Sequence, residues 1–180
     1  MSDARHVEER CSMGTPLPRD PIAEARRNWE EQGWADVAAP MAAITAIMRT
    51  QQILLARIES TLKPFGLTFA RYELLALLSF ARKGSLPMNK ASALLQVHPT
   101  SITNAVDRLE RAGLVDRSPH PTDGRTTLIE LTTAGRTLAK RSTAALNAEV
   151  FSAPGFDPGD VDHLIRILGA FRRNAGDFEG

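Results

Sequence analysis

Between His98 and Arg111 the sequence runs His-Pro-Thr-Ser-Ile-Thr-Asn-Ala-Val-Asp-Arg-Leu-Glu-Arg. Ile102, Val106 and Leu109 recur at spacings of four and three, which is one face of a helix. That periodicity turns Thr100, Ser101, Thr103, Asn104, Asp107, Arg108 and Arg111 outward. Small hydroxyls and a carboxamide near a helix start can approach base edges in a DNA major groove without steric cost. The free N–H groups and dipole of that helix end favour a phosphate. Arg108 and Arg111, one and two turns later, are placed for backbone phosphates. Further on, Asp123-Gly124-Arg125 sets a carboxylate two residues before an arginine. Such a pair can hold a guanidinium extended toward a narrow minor groove. Alone, the first pattern reads foremost as a solvated helix face and the second as a common turn, so the surrounding elements decide between these readings.

Two short helices are predicted in tight succession, over residues 88–95 and 99–112. His98-Pro99 opens the second, with His98 in an unusual capping role, and Gly113 closes it. After Gly113 the period changes from helical to alternating. Residues 114–118 and 125–131 read as two strands, joined by Pro119-His120-Pro121-Thr122-Asp123-Gly124, a stretch of turn formers. Helix, short turn, helix and hairpin is the order of a winged helix-turn-helix, and in that setting both patterns point to double-stranded DNA.

The flanks are helical. Ile44, Ile47, Met48, Gln51, Leu54, Leu55, Ile58 and Leu62 form a stripe over residues 40–62, ended by Lys63-Pro64-Phe65-Gly66. Residues 69–80, with Leu74, Leu75, Leu77 and Leu78, are apolar nearly all round, as in a buried helix. A helix from Thr132 or Thr133 to about Phe151 and another opening at Asp157-Pro158 complete the chain. The latter carries Val161, Leu164, Ile165, Leu168 and Phe171 on one side. At the other end, residues 1–19 read as a flexible tail. Asp20-Pro21 starts a short polar helix to about Gln32, closed by Gly33, which must dock through Trp29 and Trp34. The predicted fold class is mainly α with a small β-hairpin wing (α+β).

Composition removes other classes. The 180 residues carry 22 Lys+Arg and 21 Asp+Glu, for a net charge of +1. The sum conceals a partition of −3 over residues 1–36, +5 over 37–125 and −1 over 126–180, so the basic part coincides with the helix-turn-helix. No apolar run is long enough to span a membrane and residues 1–10 hold no secretory h-region, so a cytoplasmic protein is expected. A single cysteine, Cys11, allows neither an internal disulfide nor a thiolate metal cage. There is no Gly-x-x-x-x-Gly-Lys loop, Gly-x-Ser-x-Gly elbow or His-Glu-x-x-His helix. His6, His98, His120 and His163 are scattered. Neither an enzyme nor a cofactor is expected.

The run from Val97 to Val115, together with Arg117, Pro121-Thr122-Asp123-Gly124-Arg125 and Leu131-Thr132-Thr133-Ala134-Gly135, resembles the MarR family of bacterial transcriptional regulators. The resemblance covers roughly residues 37–175. It implies a homodimer that binds a pseudo-palindromic operator, usually as a repressor released by a small ligand or an oxidant. The first long helix and the last two would form the dimer interface. On that basis residues 1–19 are a tail and 20–36 an extension helix. Residues 37–65 and 133–180 are a helical dimerisation region, and 66–132 the winged helix-turn-helix DNA-binding domain. The residues expected to meet DNA are Pro99, Thr100, Ser101, Thr103, Asn104, Arg108, Arg111, Asp123 and Arg125.

The extension with Trp29 is similar to one in the family's urate-responsive branch. That branch uses this Trp with an Asp in the second core helix, an Arg in the recognition helix and an Arg at the first wing strand. Here Arg117 matches, but Glu73 stands for the Asp and Ala105 for the recognition-helix Arg. Losing that guanidinium points away from urate to another small anionic or phenolic effector. The expected pocket is lined by Trp29, Met48, Tyr72, Glu73 and Arg117. Two other readings stand beside this one. Peroxide-sensing branches carry a reactive cysteine in the first helix, whereas Cys11 lies in the tail. A winged helix can also serve as a protein-interaction module, though the hydroxyl-and-amide face speaks against that.

Overall fold

The computed structural model describes residues 16–179, without the side chain of Arg125. Cys11 lies outside the described residues. Asp20 accepts a hydrogen bond from the Ile22 amide at 2.9 Å and starts helix α1 (Pro21–Glu31). Gly33, at φ 85°, ends it, with the Trp34 amide bonded back to the Trp29 carbonyl. The Trp29 and Trp34 rings meet edge to face, 5.4 Å between centroids, and staple α1 to the next helix.

That helix, α2 (Ala35–Leu62), begins five residues before the predicted start and carries Pro40 inside it. A proline near the beginning of a helix forfeits only one backbone hydrogen bond. Packing of α1 on the first turns, where Ala38 is wholly buried, compensates for it. The apolar stripe of α2 divides in two. Leu62 is buried and Leu54, Leu55 and Ile58 are half-buried, while Ile44, Ile47 and Met48 are more than half exposed.

Helix α3 (Phe69–Phe80) is the centre of the core, as its sequence predicts, with Leu74, Leu75 and Leu78 wholly buried. Strand β1 (Ser85–Pro87) follows, then α4 (Met88–Leu95) and α5 (Pro99–Arg111). Strands β2 (Val115–His120) and β3 (Asp123–Leu131) form the wing. The sheet is three-stranded and antiparallel in the order β1-β3-β2. Sequence predicted only two strands, because β1 is three residues long and ends in a proline, too short for any alternation to show. The hairpin also continues further than predicted. Strand character runs to His120 on one side and from Asp123 on the other, with an irregularity between Pro119 and His120. The observed fold is mainly helical with this small sheet, the class expected.

Thr132 caps α6 (Thr133–Leu146), accepting from the Gly135 amide at 3.0 Å and donating to the Gly113 and Leu114 carbonyls. A π-helical turn (Asn147–Phe151) ends α6, its Glu149 carbonyl and carboxylate held by Arg57 and Thr61 of α2. Helix α7 (Pro158–Asn174) buries no residue, and Ile165 and Phe171 of its predicted stripe are 66% and 70% exposed. Asp157 precedes it as expected but makes no side-chain capping bond. Among the described residues no helix is long and apolar enough to cross a membrane.

Gly135 lies where α6 passes the end of β2. A Cβ there would stand 2.0 Å from the Leu114 carbonyl oxygen, which is backbone and cannot step aside. Gly135→Ala should therefore lower unfolding free energy by about 1–3 kcal/mol, the usual cost of overpacking. A urea titration compared with wild type checks this.

Candidate nucleic-acid interface

Helix α5 is oriented by its inner face. Ile102, Val106 and Leu109 are buried in the core cluster with Leu74, Leu75, Leu78, Val115 and Ile129. Pro99, Thr100, Ser101, Thr103, Asn104, Arg108 and Arg111 consequently lie on the exposed side. The start of the helix is capped as the sequence indicates: His98 Nδ1 accepts from the Thr100 amide at 3.2 Å. Thr103 donates its hydroxyl hydrogen to the Pro99 carbonyl at 3.0 Å, so the oxygen's lone pairs remain available to an incoming donor. Among the described residues no hydrogen bond or ion pair engages the Asn104 carboxamide or the Arg108 guanidinium. Arg111 leans back, Nε donating to the Asp107 carbonyl at 3.1 Å.

The wing tip is held by its own polar groups. Thr126 donates to Asp123 Oδ2 at 2.6 Å, and the Thr122 amide donates to His120 Nδ1 at 3.3 Å. The backbone of Arg125 is part of β3, and its side chain lies outside what the structure describes.

One contact between helix and wing was not anticipated. Arg117 of β2 reaches α5 with both terminal nitrogens, to Glu110 Oε2 and, at 2.5 Å, to Asp107 Oδ1. Asp107 was expected to face outward freely, but it and Glu110, one turn apart, form a two-carboxylate seat for the guanidinium. Burial works against the Arg117 charge, yet the hydrogen bonds and charges of Asp107 and Glu110 outweigh it and raise its pKa further. The contact ties the wing to α5 and neutralises two carboxylates of that helix. No spacing rule could reveal it, because the pairing crosses between elements.

A cleft of about 330 Å³ lies where α4, α5 and β3 meet, lined by Met88, Asn89, Ser92, Pro99, Ile102, Thr103, Thr126 and Thr127. It reaches the start of α5 and the wing together.

Comparison with known proteins decides the lineage. The MarR family model matches residues 65–126, which hold α3 to the wing tip. Sco5413 of Streptomyces coelicolor, a MarR family transcriptional regulator of solved structure, is 47% identical. It overlays 79% of this chain and 99% of its own with a TM-score of 0.71. The chain belongs to the MarR family. YhbI of Bacillus subtilis, an uncharacterized HTH-type transcriptional regulator, is 28% identical over 72% of this chain and 82% of its own. Sco3205 of Streptomyces coelicolor, solved in complex with DNA, shares the fold with a TM-score of 0.66, at 22% identity over 74% of this chain and 88% of that one. The protein is thus a MarR-family winged-helix transcriptional regulator.

The five residues expected to line an effector pocket each have surroundings of their own in the MarR chain. Trp29 packs on Trp34, and Met48 is 57% exposed on α2. The buried Tyr72 pairs its hydroxyl with Thr143 at 3.2 Å, and its ring stacks on Phe69. Arg117 is committed to its two carboxylates. No hydrogen bond, ion pair or ring contact joins any two of the five. Glu73 is half-buried, and desolvation raises its pKa above the usual carboxylate value.

Because the folded-state pKa of Glu73 lies above the unfolded value, its contribution to stability is fully present below the unfolded pKa. That contribution is lost as pH rises through the folded one. Glu73→Gln should accordingly be more stable than wild type at neutral pH, the difference closing as pH falls below the carboxylate range. Urea unfolding at pH 7 and at acid pH measures both.

Proposed function

We propose that this protein is a repressor that binds a pseudo-palindromic operator in double-stranded DNA as a homodimer and is released by a small anionic or phenolic effector. The carrying observation is the outer face of α5, exposed hydroxyls and a carboxamide followed by arginines, beside a wing locked to the same helix by Arg117. Thr103 and Asn104 read base edges in the major groove, with Pro99, Thr100 and Ser101 at the groove floor. Arg108 and Arg111 neutralise phosphates, and Arg125, steadied by Asp123, enters the minor groove. Residues 66–132 act as the DNA-binding domain. A relative of the same fold solved with DNA supports the mode, and a cytoplasmic location is part of the same reading.

Homodimerisation is supported by what one chain leaves bare. The exposed Ile44, Ile47 and Met48 of α2 and Ile165, Ile167 and Phe171 of α7 form apolar faces that a monomer would not keep in water. Residues 37–65 and 133–180 are the regions that would cover them, with the 20–36 extension stapled alongside. Two copies place two recognition helices about one DNA turn, ~34 Å, apart.

A second place for an effector, beside the pocket expected from sequence, is the cleft between α4, α5 and β3. At about 330 Å³ it is at the small end of ligand sites, about 300 Å³ and up. An occupant touching Ile102, Thr103 and Thr126 together would shift helix against wing.

Selecting bound sequences from random DNA with the purified protein should return a two-fold-related motif, and recovery of no motif would sink the reading. On that operator Arg125→Ala should cost about 1–3 kcal/mol per half-site. Arg111→Ala should weaken all sequences alike and reduce the salt slope by about one unit per half-site. Small aromatic acids should raise the melting temperature of the free protein. The absence of any shift across such a panel would remove effector control.

A further inference from the structure

Among the described residues only one that is not glycine has a positive φ: Gln96, at 53°, in the turn between α4 and α5. The turn is well made around it. The Gln96 amide bonds the Ala93 carbonyl at 3.2 Å, the Val97 amide bonds the Ser92 carbonyl at 3.2 Å, and Ser92 donates to the Val97 carbonyl at 2.7 Å. A left-handed residue just past a helix is ordinarily glycine, which adopts that conformation without the clash a Cβ brings. A side chain kept where glycine would be less strained calls for a use.

The Gln96 side chain has one. Its Nε2 donates to the Asp177 carbonyl at 3.1 Å and to Asp177 Oδ1 at 2.7 Å, and its Oε1 accepts from Arg172 Nη2 at 3.4 Å. Arg172 in turn donates Nε to Asp177 Oδ2 at 2.5 Å, and the Arg172 and Arg173 guanidinium groups sit over the Phe178 ring. This cluster fastens the end of α7, a helix with no buried residue, to the turn that leads through Val97 and the cap His98 into α5.

We propose that Gln96 is a positioning residue, a strut that makes the orientation of the recognition helix follow α7. The inference rests on the homodimeric DNA-binding reading above. If α7 belongs to the dimer interface, tying its far end to the turn before α5 transmits the dimer geometry to both recognition helices. The strut then sets which half-site spacing the protein accepts. DNA makes this a stringent selection, because one base pair more displaces a half-site by about 3.4 Å along the axis and rotates it by about 34°.

The test compares Gln96→Gly with wild type, first on the selected operator and then on versions with one base pair inserted or removed between half-sites. Glycine suits the turn, so the variant should unfold at or above the wild-type temperature. Wild type should lose tenfold or more in affinity on changing the spacing. Gln96→Gly should bind the best operator about threefold more weakly and lose threefold or less on changing the spacing. Asp177→Ala, which leaves the turn untouched, should show the same flattened profile, and the double variant should be no flatter than either. If wild type discriminates spacing and both variants keep its ratio, the strut is wrong while the DNA reading stands. If wild type selects no DNA, the proposed function fails and the strut with it.

Discussion

Ile102, Val106 and Leu109 sit in the core against α3 and the inner wing residues Val115 and Ile129, and a helix pinned along one stripe has no freedom to turn about its axis. With 3.6 residues per turn, burying those three commits Thr100, Thr103, Asn104 and Arg108 to solvent. Each of the three is a large aliphatic side chain, and truncation of any would open a cavity at a cost of about 2–5 kcal/mol. The chemistry of the outer face thus depends on apolar contacts on the inner one.

The second dependence is electrostatic. A net charge of +1 is meagre for a protein that meets a polyanion, and α5 itself carries Asp107 and Glu110 among its arginines. The structure resolves the conflict locally: Arg117 is drawn from the wing onto both carboxylates, leaving Arg108 without an acidic neighbour to satisfy. The same contact joins α5 and the wing into one body. Its charges are partly exposed, so its worth lies more in fixing geometry than in stability.

The two ends of the chain show the opposite situation. The N-terminal half of α2 and all of α7 expose aliphatic and aromatic side chains, while the lobe between them is closely packed. A stripe at helical spacing reports that something will cover it, but not whether the cover lies in the same chain. Here Leu54, Leu55, Ile58 and Leu62 turn toward the chain's own core, and Ile44, Ile47 and Met48 do not.

Much was legible before any coordinates. Caps are local chemistry, one side chain answering an amide two or three residues on, so Asp20, His98 and Thr132 announced their helices. The inward stripe of α5 was equally readable, because periodicity within one element needs no knowledge of its neighbours. What sequence concealed were relations between elements. Strand β1 exists only because β3 offers it hydrogen bonds, and α2 starts early because α1 packs on it. Arg117, read as a ligand for an anion, found its anions on α5. Gln96 carries no signal in the sequence, and its left-handed backbone and its partner Asp177 beyond α7 are visible only in the fold. Neighbours along the chain follow from bond geometry, whereas partners brought together from distant positions follow only from how the whole chain packs.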